Sequence, residues 1–189
     1  MRLLLTILLL IRLVSAGEVM PIEIPLEGEA ADRSLEMSGL AWYGDYLILM
    51  PQYVNKKAPG FYFLRKKEIN EWLDGDRSKA LKPGKIDLII PDYDNVIGGY
   101  QGFEGLCFSG NKVYLLMESK NDGVMSSYIV AGAMDFKKKR LEIEQGKIEQ
   151  ITPPKNIKNM GYESILKHKY RLLVLFEANG ININPNANA

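Results

Sequence analysis

The sequence predicts an all-β fold built from one repeated antiparallel hairpin, and three observations carry that reading. The first is the stretch Gly102 to Ser119, GFEGLCFSGNKVYLLMES, where two apolar, β-prone runs flank the polar tip Ser109-Gly110-Asn111-Lys112. Gly and Asn accept the positive φ angles of a tight turn, so this pattern signals a hairpin. The second is recurrence: Met37 to Gln52 reads MSGLAWYGDYLILMPQ, and Tyr162 to Ala178 reads YESILKHKYRLLVLFEA. The third is spacing, because the copies begin about 60 residues apart, a blade-sized interval for propellers with insertions. Together they predict an incomplete β-propeller of about two and a half four-stranded antiparallel blades with a short helical insertion.

The elements follow in order. Residues 1–16 have Arg2, the apolar run Leu3 to Ile11, and the small residues Val14-Ser15-Ala16, the pattern of a secretory signal peptide cleaved after Ala16. The apolar run is short for a bilayer and Arg12 interrupts it, so no stable membrane span is expected after cleavage. Glu18 to Leu26 alternates but contains two prolines, which predicts an edge strand. Glu27 to Leu35 is polar and reads as a loop. Blade one is expected over about 36–91. Leu40–Trp42 and Tyr46–Met50 form its hairpin around Gly44-Asp45, and Gly60–Leu64 is a third strand. Lys66–Leu73 places Ile69, Trp72 and Leu73 at helical spacing, and Lys85–Ile90 is the fourth strand, ended by Pro91. Blade two spans about 102–152. It continues through the turn Asn121-Asp122-Gly123, a strand over Ser127–Asp135, and one over Arg140–Ile151 bent at Gly146. A partial third blade covers about 160–189. Two and a half blades do not close a ring, so missing C-terminal blades or self-association are the expected partners, with a fragment of a longer protein preferred.

Composition narrows the function. The chain has 189 residues, 47% hydrophobic and 25% charged, enough for one ordinary core. Its net charge of +1 argues against nucleic acid. The basic runs Arg65-Lys66-Lys67 and Lys137 to Arg140 read as solvated turns. The single Cys107 sits within an apolar strand and reads as a buried, inert thiol. Export without disulfides fits a secreted or periplasmic protein. The only histidine, His168, lies in a turn between two lysines, a poor place for the base of a catalytic triad. One Cys and one His do not build a zinc site.

Aligning the copies on Gly105-Leu106 pairs Glu104 with Ser38 and Glu163, and Glu118 with Gln52 and Glu177. Residues just before the first strand of a propeller blade point into one mouth of the channel. Carboxylates gathered there suit a hard cation such as Ca²⁺, which takes six to eight oxygens. Glu104 and Glu163 are the candidate ligands, with Glu118, Glu177 and Asn179 as weaker ones. Alternatively, these acids satisfy backbone N–H groups at strand ends. No catalytic side chain is identifiable.

At Glu36-Met37-Ser38-Gly39-Leu40-Ala41, Gly102-Phe103-Glu104-Gly105-Leu106, Asn111-Lys112-Val113-Tyr114-Leu115 and Phe176-Glu177-Ala178-Asn179-Gly180 with Asn184-Pro185-Asn186, the chain resembles the esterase-like activity of phytase family, a secreted six-bladed β-propeller. The likeness would cover about residues 18–189, the N-terminal half of such a domain. It implies metal-assisted hydrolysis of a small-molecule ester or phosphoester, with bound Ca²⁺ orienting a water. The competing expectations are a non-catalytic propeller platform that binds a protein or glycan, and an inactive truncated product.

Overall fold

The computed structural model describes residues 20–54 and 59–178, apart from the side chain of Asp94. The expected signal peptide, and Asn179 with the residues after it, lie outside the described residues. The strands are β1 (Met37–Tyr43), β2 (Tyr46–Pro51), β3 (Gly60–Arg65), β4 (Gly84–Ile89), β5 (Tyr100–Ser109), β6 (Lys112–Asn121), β7 (Val124–Asp135), β8 (Arg140–Ile151), β9 (Tyr162–His168) and β10 (Arg171–Phe176), with one helix, α1 (Lys66–Asp74), and short helical turns. The fold is all-β. No helix among the described residues is long and apolar enough to cross a membrane.

β1 to β4 and β5 to β8 are two antiparallel meanders. Where separate four-stranded blades were expected, the meanders merge into one eight-stranded sheet of order β1-β2-β3-β4-β8-β7-β6-β5. The join is a short parallel pairing of Asp87–Ile89 with Arg140–Glu142, preceded by a hydrogen bond from the Asp87 N–H to the Lys139 carbonyl at 2.8 Å. Pairing two outer strands satisfies backbone groups that would otherwise form open edges. At the other end the sheet nearly closes, barrel-like. The Phe103 N–H on β5 donates to the Gln52 carbonyl at the end of β2 (3.0 Å), and the Ser38 hydroxyl on β1 donates to the Phe103 carbonyl (2.7 Å). β9 and β10 form a separate two-stranded sheet lying against β5.

The main core lies between the meanders. Ile48, Met50, Phe61 and Ile86 from the first meet Phe103, Leu115, Met117 and Val130 from the second. Phe61 and Phe103 meet edge to face at 5.7 Å. Each such side chain, fully removed from water, contributes about 1.5–3 kcal/mol. A second cluster packs Ala30, Leu35 and Ile69 against Leu49, Tyr62 and Leu64 on the outer face of β2 and β3.

That cluster corrects the expected N-terminal edge strand. Within the described residues the segment makes only an isolated parallel bridge, Leu26 with Leu81, and the Leu81 N–H donates to the Pro25 carbonyl at 2.8 Å. Pro21 and Pro25 lack the N–H groups a ladder needs. Ile24 and Leu26 pack instead as a lid over the first meander. The helix forms where its period predicts. Ile69 and Trp72 are buried, and the Trp72 indole N–H donates to the Lys79 carbonyl at 2.7 Å. The basic run 137–140 is not wholly solvated. The Lys139 ammonium stacks 3.4 Å from the Phe136 ring centroid and 4.5 Å from that of Phe63, a cation–π contact. Burial, and secondarily the charge of Arg65, lowers its pKa.

Candidate functional site

Three hairpins build the site in the same way. In the β1/β2 pair the register slips between Met37 and Gly39, leaving Ser38 out of the ladder. In β5/β6 it slips between Phe103 and Gly105, leaving out Glu104. In β9/β10 it slips between Tyr162 and Ser164, leaving out Glu163. A bulge bends its strand and re-aims the side chain that loses its partner. The three residues aligned from the sequence are therefore equivalent in structure as well.

Contacts between neighbouring hairpins repeat in the same register. A Cβ on Gly39 would meet Leu106, and one on Gly105 would meet Ile165. A Cβ on Gly102 would meet Gln52, and one on Gly161 would meet the carboxylate of Glu118. Gly102 and Gly161 thus leave room for two equivalent side chains of the preceding hairpin. The Gln52 N–H donates to the Glu36 carbonyl (2.7 Å), and the Glu177 N–H donates to the Gly161 carbonyl (2.9 Å), again at matching positions.

This geometry gathers carboxylates on one rim. Glu104 is buried, only 6% exposed, and its Oε1 accepts a 2.7 Å hydrogen bond from the Gln52 amide. Burial first, then the charges of Glu163 and Glu118, push its pKa up to about 8, against a lowering by the Gln52 bond. Glu118, half-buried, is pushed up to about 7 by burial and by Glu163 and Glu177, with Lys120 opposing. Glu163 lies on the exposed side of the rim. Its carboxyl is raised by residual burial and by Glu177. Tyr53 stands nearby, its phenol raised by burial and by Glu36, Glu104 and Glu118. Among the described residues none of Glu104, Glu118, Glu163 and Glu177 forms an ion pair. The Lys120 ammonium instead donates to the Asn159 side chain at 3.4 Å.

The structure therefore brings together Ser38, Gln52, Glu104, Glu118, Glu163 and Glu177. The donors are all oxygen-bearing, which is the chemistry of a hard cation. As placed, no three carboxylate, imidazole or thiolate groups among the described residues already converge on one coordination point. His168 is exposed at the far end of β9 from Glu163, and burial pushes the Cys107 thiol up to about 11.

Sequence reasoning missed the cavity beside the rim. It measures about 540 Å³ and is lined by Tyr53, Pro59, Ile90, Tyr93, Tyr100 and Gln101. The tyrosines come from three separate segments, so spacing along the chain gives no signal of it. In comparisons with known proteins, no family model, curated protein or solved structure matches the chain.

Proposed function

We propose that the chain is part of a β-propeller-type scaffold whose carboxylate rim binds a hard divalent cation, with Ca²⁺ the best fit. Support for the propeller reading comes from two four-stranded meanders followed by a third hairpin, with β5 lying between β1 and β9. The observation that carries the cation reading is the placement of Glu104 and Glu163 at equivalent bulges beside Glu118. There, burial and mutual repulsion hold the carboxyls toward their protonated forms. A cation relieves that repulsion by replacing bound protons. Glu104 and Glu163 would hold it, with Glu118 and the Gln52 side-chain oxygen completing the donors. When bound, Ca²⁺ supplies a Lewis acid for a phosphoryl or carbonyl oxygen, which is the ester or phosphoester hydrolysis that the sequence resemblance suggests. Secretion, or a periplasmic location, belongs to the same reading.

Titration calorimetry with Ca²⁺ at neutral pH, in two buffers of different ionisation enthalpy, tests it. The expected result is a binding heat with net proton release, both lost in Glu104→Gln/Glu163→Gln. Absence of heat together with an unchanged melting temperature sinks the cation reading. Turnover of a generic aryl ester or aryl phosphate, dependent on the cation, separates hydrolase from binding scaffold. The tyrosine-lined cavity favours one second reading, a platform that binds an aromatic or glycan ligand without turnover.

A further inference from the structure

The net charge of +1 conceals a polarity that the hairpin architecture creates. β1, β5 and β9 run in the same direction. The Ser38 hydroxyl reaches the Phe103 carbonyl near the starts of β1 and β5, and Tyr43 meets Phe108 at 5.1 Å near their ends. Gly161 lies against Glu118, and Ile165 against Gly105, so β9 follows β5. The bulges and their carboxylates therefore occupy one end of the molecule and the three hairpin tips the other. Two further segments join the tips. The Met134 N–H donates to the Asn111 carbonyl, which brings the β7/β8 turn to the β5/β6 tip, and the Lys66 N–H donates to the Asp45 carbonyl, which brings the start of α1 to the β1/β2 tip (2.8 Å each). The basic runs Arg65-Lys66-Lys67 and Lys137 to Arg140 thus share one end with Lys112 and with the β9/β10 tip, Lys167-His168-Lys169-Tyr170-Arg171.

From this we infer that the hairpin-tip end docks on an anionic lipid surface, with the carboxylate rim turned toward solution. Glu68, Glu71, Asp135 and Glu142 pair with Arg65, Lys67, Lys138 and Arg140. Lys66, Lys112, Lys137, Lys169 and Arg171 are exposed and form no ion pair among the described residues, which leaves their charge for a partner. Each such cation contributes about fivefold to partitioning onto an anionic bilayer. The hollows between the tips favour a bilayer over a polyanionic strand. Asp45, Glu71 and Asp74 line the hollow beside α1, and Asp135 and Glu142 line the one beside the β7/β8 turn. A phosphate chain laid in either hollow would meet carboxylates. A sheet of headgroups meets only what projects, and Lys and Arg reach further than Asp. Tyr170 stands fully exposed between Lys169 and Arg171, and a ring with a polar tip suits the headgroup level. The rim acids, repelled by the same surface, fix the orientation. The inference goes beyond the cation reading and does not depend on it.

Flotation of the full chain in EDTA tests it, with vesicles of phosphatidylcholine alone or of equal parts phosphatidylcholine and phosphatidylserine. The readout is the ratio of the two partition coefficients, in which apolar contacts common to both vesicles cancel. Wild type is expected to prefer the anionic vesicles by about tenfold or more at low salt, a preference that falls as salt rises. Lys169→Glu/Arg171→Glu and Lys112→Glu/Lys137→Glu change exposed positions, and each is expected to lose most of that preference while keeping its melting temperature. Lys155→Glu/Lys158→Glu makes the same change of net charge at exposed positions beyond β8, at the rim end, and is expected to keep the preference. Tyr170→Trp is expected to shift its emission to shorter wavelength on the anionic vesicles. Equal partitioning into the two vesicles overturns the inference. So does an equal loss in Lys155→Glu/Lys158→Glu, which would make the preference one of net charge alone. Displacement by a stoichiometric single-stranded oligonucleotide overturns it in favour of a nucleic acid. Binding only when Ca²⁺ replaces EDTA also overturns it, by assigning the contact to the rim.

Discussion

Glu104 is the residue with the most electrostatic consequence. The unfolded chain ionises such a carboxyl near 4.5, whereas burial beside Glu163 and Glu118 lifts it to about 8 in the fold. The folded state thus binds the proton more tightly, so stability is full below about pH 4.5 and declines as the pH rises toward 8. Each unit of displacement corresponds to about 1.4 kcal/mol. Glu104→Gln keeps the shape and removes the charge. It is expected to raise stability at pH 8 by about 2 kcal/mol after relaxation of the site, and to lessen the fall of the melting temperature between about pH 5 and 8, Glu118 and Glu163 supplying the slope that remains. A wild-type melting temperature that climbs over that interval would contradict this assignment. Saturating Ca²⁺ at pH 8 is expected to raise the melting temperature of wild type and not of Glu104→Gln/Glu163→Gln.

At the scale of the element, the bulged hairpin is the unit that matters, and its glycines separate two roles. Gly102 has φ +128°, and a Cβ there would meet the Gln52 carbonyl oxygen at 2.7 Å. Both the angle and the fixed backbone oppose a side chain, so Gly102→Ala is expected to cost more than about 1 kcal/mol in urea denaturation. At the equivalent Gly161 the obstruction is the movable tip of Glu118. Gly161→Ala is therefore expected to stay within about 1 kcal/mol of wild type while displacing Glu118 and weakening the calorimetric Ca²⁺ response. Most hairpins were legible in the sequence because apolar runs and Gly-Asp, Gly-Asn or Asp-Gly tips act locally, whereas the β9/β10 turn, Lys169-Tyr170, was placed by its flanking apolar runs alone. Residues 18–26 alternate as well, yet the described part forms no strand. Two prolines deprive it of donors, and burial against Leu49 and Tyr62 offers its apolar side chains another place.

For the whole molecule, the two meanders share one core and should unfold together. Phe103 sits fully buried where they meet, edge to face with Phe61, Tyr93 and Tyr100. Phe103→Ala is expected to destabilise the chain by about 3–5 kcal/mol in a single transition. Two separated transitions in calorimetry would mean that the meanders are independent despite the β4–β8 join.

The all-β class, the strand pairs and the equivalence of Ser38, Glu104 and Glu163 were determined by the sequence itself, because hairpin pairing is written in near neighbours. Tertiary structure alone decided that β4 and β8 pair in parallel, that the proline segment becomes a lid, and that Glu104 is buried while Glu163 is not. Those outcomes depend on which surfaces meet after the hairpins form. Burial, which sets the charge state of the rim, is a property of that meeting and has no local signature in the chain.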